Sequence, residues 1–82
     1  MINIKIVRGT SYWIELKSNG DCKDRYIAKY LDLSLEEYQN ILINNGAFFN
    51  NEFGEYYFKT RKDIETAIKE LEPYYILAEL TR

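Results

Sequence analysis

The run from Tyr26 to Phe58, YIAKYLDLSLEEYQNILINNGAFFNNEFGEYYF, changes its hydrophobic period more than once, and each change calls for a new element. Tyr26, Ile27, Tyr30 and Leu31 fall on one stripe at helical spacing. Asp32-Leu33 closes that helix. Ser34 then opens another, with Glu37 three residues on, the pattern in which serine and glutamate cap each other's backbone. Leu35, Tyr38, Ile41 and Leu42 form its apolar face. Asn45-Gly46 ends it, since glycine takes the left-handed conformation past a helix end without a Cβ clash. Short aromatic strands over 47–50 and 55–59 flank Asn51-Glu52-Phe53-Gly54 and read as a hairpin.

The flanks complete the pattern. Ile2, Ile4 and Ile6 alternate with Asn3, Lys5 and Val7, the period of a half-buried strand. Tyr12, Ile14 and Leu16 alternate in the same way with Trp13, Glu15 and Lys17, and Gly9 is expected to supply a positive φ to the turn between. Asn19-Gly20 ends the strand, and Asp21 is expected to cap a helix starting near Cys22. After the aromatic hairpin, Thr60 caps a further helix with Asp63 in its first turn. Ile64, Ala67, Ile68 and Leu71 fit i, i+3, i+4, i+7. Pro73 is expected to stop that helix, leaving Tyr74 to Leu80 as a closing strand with Tyr74, Ile76, Ala78 and Leu80 on one face. The order is ββ-αα-ββ-α-β. It predicts an α+β fold: an antiparallel sheet of about five strands, with three helices over one face. Residues 1–82 form a single domain, because 82 residues leave no room for a second core.

Composition narrows the chemistry. The net charge is −2, so the broad excess of lysine and arginine that draws a protein to a polyanion is missing. Aromatic residues make up 16% of the chain, and large rings help so short a chain assemble a core. A single cysteine, Cys22, cannot form an intrachain disulfide, which points to a reducing, cytoplasmic setting. MINIKIVRG lacks the apolar stretch of a signal peptide, and no run approaches the length that spans a bilayer.

Catalytic candidates are thin. The chain has no histidine, and no Walker loop, G-x-S-x-G, HExxH or paired CxxC occurs. Glu36 and Glu37 are adjacent on a helix, so they point about 100° apart and read as first-turn charges rather than an acid–base pair. Cys22 beside Lys23 and Arg25 is a nucleophile only with a partner base, and none follows. The reading is therefore a non-enzymatic protein with no cofactor and no metal.

Binding candidates are better defined. Tyr56 to Lys62 is the one basic and aromatic cluster, and Phe53, Tyr57, Lys59, Arg61 and Lys62 are the expected partner-binding residues. Rings supply buried area there and cations set orientation. Trp13 lies opposite the inward set of its strand and joins this class if exposed. The helix–turn–helix–hairpin order is also that of winged helix-turn-helix modules. On that alternative, Gln39, Asn40 and Asn44 contact base edges while Lys59, Arg61 and Lys62 contact phosphates. Glu36 and Glu37 near the start of the recognition helix oppose it by repelling phosphates. IAKYLDLSLEEYQNIL resembles the helix-turn-helix segment of small regulators, with Asp32 where their "LGLS" turn has glycine.

YYFKTRKDIETAIKELEPYYILAELT, from Tyr56 to Thr81, resembles the ending of small phage- and prophage-type proteins of low-GC Gram-positive bacteria. The resemblance covers about a third of the chain and carries no catalytic residue. It implies an accessory factor, in the manner of anti-CRISPR and other anti-defence inhibitors, that binds and blocks a larger host protein or ribonucleoprotein complex. Nucleic-acid contact is a further expectation and membrane association is not.

Overall fold

The computed structural model describes residues 3–81. Chain order is β1 (Ile4–Arg8), β2 (Tyr12–Leu16), α1 (Asp24–Tyr30), α2 (Leu35–Asn44), β3 (Phe48–Asn50), β4 (Glu55–Tyr57) and α3 (Arg61–Leu80). The α+β class and the three helices are as the periodicity predicts. The single five-stranded sheet is not. β1 and β2 pair antiparallel as one small sheet, and β3 and β4 as another. Between them runs one bridge, in which Tyr12 and Phe58 exchange both backbone hydrogen bonds at 2.8 Å. Ile2, expected in β1, lies outside the described residues.

The largest correction is the end of the chain. Tyr74 to Leu80 is helix, and α3 runs through Pro73 for 20 residues. Proline removes one backbone donor and strains the preceding turn, which costs a helix interior about 3 kcal/mol. Burial outweighs this. Ile64, Ala67, Leu71, Tyr75 and Ala78 form one continuous buried stripe, and Pro73 sits on the exposed side of it. A strand would have put Tyr75 on the face opposite Tyr74 and Ile76 and broken that stripe. Near its end the helix meets the start of the first hairpin, where the Asn3 backbone N–H donates to Glu79 Oε1 at 2.7 Å. Its last turns leave Tyr74, Ile76, Leu77 and Leu80 exposed.

Smaller elements also shift. α1 begins at Asp24, and its N-cap is Lys23 with no side-chain cap, not Asp21. Gly9 does not adopt a positive φ. Its lack of a side chain makes room instead, since a Cβ there would stand 3.0 Å from the Trp13 ring. The Ser34–Glu37 capping box forms as expected, and Thr60 Oγ1 accepts from the Asp63 N–H at 3.2 Å. Asp32 takes the left-handed conformation at φ 58°, filling the glycine's role in the α1–α2 turn.

Tyr38, Phe58, Ile27, Leu42, Ile64 and Leu71 are fully buried and form the centre of the core. Ile4, Ile14 and Leu16 cover it from the inner face of the first hairpin. The outer face of that hairpin, with Val7, Trp13 and Glu15, is left to meet the second.

Candidate functional site

The Tyr12–Phe58 bridge sets β2 and β4 side by side, and this places Trp13 and Tyr57 on the same outer face. Their rings stack at 5.1 Å with planes 19° apart. Phe53 stacks on the other side of Tyr57 at 5.6 Å, again at 19°. The β3–β4 loop holds it there. Asn50 Oδ1 accepts the backbone N–H groups of Glu52 and Phe53, and the Gly54 N–H donates to the Asn50 carbonyl at 2.7 Å. The result is a row of three rings whose middle member is buried and whose outer member, Phe53, is 57% exposed. On the opposite face Phe49 meets Tyr56 edge-on at 5.3 Å.

Charges frame the row. Trp13 Nε1 donates to Glu15 Oε2 at 3.1 Å, and Lys5 Nζ lies 3.6 Å from Glu15 Oε1. Lys59 stands over the Phe48 ring at 5.8 Å. Arg61 pairs with Glu65 at 3.2 Å, one turn along α3. Lys62 is exposed, and its carbonyl accepts from Thr66 Oγ1. The five expected partner-binding residues thus lie on one hairpin and the helix start after it, with Phe53, Lys59, Arg61 and Lys62 exposed and Tyr57 as the buried support.

The α2 residues of the alternative reading divide. Asn40 and Asn44 are exposed, whereas Gln39 is half-buried and its Nε2 donates to Asp24 Oδ2 at 3.1 Å. Glu36 and Glu37 are exposed. The Ser34 backbone N–H and hydroxyl hold the Glu37 carboxyl below its ordinary range. Cys22 is half-buried; burial, then Glu15 and Glu55, push its thiol up, which disfavours the nucleophilic thiolate.

Asp24 is the residue that the sequence did not single out. It reads as an ordinary helix-start charge, yet it is only 3% exposed. Its Oδ2 accepts from Gln39 on α2 and from the Tyr56 N–H on β4, at 3.1 and 3.0 Å. Its own N–H donates to Glu55 Oε1 at 2.7 Å. Burial pushes its carboxyl up to about 6, with Glu55 adding to the rise. The Tyr38 hydroxyl is wholly buried and finds no partner among the described residues. Burial raises it well above its usual value, and Asp24 and Glu55 add to that. Beside this knot runs an open groove of about 260 Å³, lined by Lys23, Arg25, Leu35, Gln39, Gly54 and Glu55. Only the fold brings these residues together, since they come from three separate elements and the loops beside them.

Among the described residues no group of three or more acidic, cysteine or histidine side chains is placed to hold a metal ion. No helix there is long and apolar enough to cross a membrane. No protein-family model, curated protein or solved structure matches this chain.

Proposed function

We propose that this chain is a non-enzymatic binding protein that takes a macromolecular partner on its second hairpin and the start of α3. The observation that carries the reading is Phe53, a large ring left 57% exposed yet already oriented by its stack on Tyr57. A pre-oriented aromatic loses little freedom when it is covered, so it suits an interface anchor. Lys59, Arg61 and Lys62, exposed after the other end of β4, favour a partner surface with negative charge. With the resemblance of residues 56–81, the reading becomes an accessory factor of a phage or mobile element that blocks a larger host protein or ribonucleoprotein complex.

The test is capture on the immobilised chain from a low-GC Gram-positive host, with purified candidates following. Wild type retains one large species, Phe53→Ala with Lys62→Ala loses it, and Lys17→Ala on the far end of the first hairpin keeps it. Retention by the double variant overturns the assignment of this face.

The second reading is a winged helix-turn-helix regulator. The left-handed Asp32 turn between α1 and α2, followed by a hairpin, favours it, and exposed Asn40 and Asn44 are its base-reading candidates. Engagement of Gln39 by Asp24 weakens it. A gel shift against mixed DNA at low salt decides: binding that falls steeply with added salt supports the regulator, and no shift removes it.

A further inference from the structure

Two carboxylates fasten the second hairpin to the helix pair: Glu55 Oε1 accepts the Asp24 N–H, and Asp24 Oδ2 accepts from Gln39 and the Tyr56 N–H, with no ion pair to Asp24 among the described residues. Asp24 is buried, and none of the described ion pairs includes it. Lys23 and Arg25, its neighbours in sequence, are exposed along the groove. The titratable groups around it are Tyr38 from α2 and Glu55 and Tyr57 from β4. Its fixed partners are neutral donors, the Gln39 amide and the Tyr56 N–H. An ionised Asp24 therefore stands in a low-dielectric site facing a second carboxylate and an unpartnered hydroxyl.

We infer that Asp24 is a proton-operated latch: neutral, it holds β4 firmly against α1 and α2, and ionised, it loosens that junction, which the Glu55 bond to the Asp24 N–H still spans. Both donors reach the same oxygen, Oδ2, which remains an acceptor when the carboxyl carries its proton on Oδ1. Protonation thus removes the charge without removing either hydrogen bond. Because Tyr56 is adjacent to Tyr57, opening at this point loosens the support under Phe53. The latch is a property of the fold, independent of what the hairpin binds.

The sign follows from the raised carboxyl. Asp24 holds its proton more tightly closed than open, so the stabilisation its proton gives the closed junction is full below the ordinary 3.8, is lost progressively as the pH rises through about 6, and changes little beyond. The test uses the full 15N-labelled chain and follows the Tyr56 amide by NMR with hydrogen-exchange protection. Its shift is expected to titrate with a midpoint near 6. Protection should fall roughly tenfold between about pH 5 and about pH 7.5. Asp24→Asn, neutral throughout, should show no such change over that range. A wild-type Tyr56 amide that neither shifts nor loses protection overturns the latch, as does the same profile in Asp24→Asn. If that variant fails to fold, the Asp24 carboxyl 13C signal of the wild type decides: a midpoint at the ordinary 3.8 overturns the inference.

Discussion

The two hairpins differ in what lies beneath them. β1–β2 turns Ile4, Ile14 and Leu16 into the core and is held by hydrophobic burial. β3–β4 has strands of three residues and is held by a stack, a bridge and the Asp24 knot. Its loop points a phenylalanine at solvent. A small domain needs most of its apolar surface for stability. The ring left outside is therefore on the hairpin that contributes least to the core, where it can be covered by a partner without disturbing the fold.

Substitutions can break that contrast. Ile14→Ala empties a site that is 3% exposed and should lower unfolding stability by about 3 kcal/mol in urea titrations. Acid should act through the second hairpin. Between about pH 7.5 and about pH 5 the stability should rise by about 1.4 kcal/mol as Asp24 takes up its proton, and Asp24→Asn should abolish the rise. Gly54→Ala places a side chain at φ 73° with nothing within 4 Å of it, so the loss is purely conformational, about 1 kcal/mol by thermal unfolding. Phe53→Ala should cost only about 0.5 kcal/mol while removing partner capture. A Phe53→Ala loss as large as that of Ile14→Ala would make the second hairpin structural and end the comparison.

Local signals were legible wherever one element settled the matter alone. The Ser34–Glu37 box, the Thr60 cap and the α3 stripe up to Leu71 are short-range patterns, and each stands as read. Pro73 misleads because its cost is local while the reward, burial of Tyr75 and Ala78, depends on what α3 lies against. Gly9 misleads in a similar way: the turn does not need its positive φ, but the Trp13 ring needs its missing side chain. Within the candidate site, Phe53, Lys59, Arg61 and Lys62 are legible as a cluster because they are near one another in the chain. Asp24 is not, since Gln39 is 15 residues away and Tyr56 is 32.

By itself the sequence determined the α+β class and the helix–turn–helix–hairpin order, both of which follow from residue type and spacing along the chain. The tertiary structure decided that the last segment is helix, that the strands form two bridged hairpins, that Tyr57 is sandwiched between two rings, and that the Asp24 carboxylate is buried outside any described ion pair. The physical reason is common to all four. Burial free energy belongs to pairs of surfaces, and a residue's partner surface comes from elsewhere in the chain.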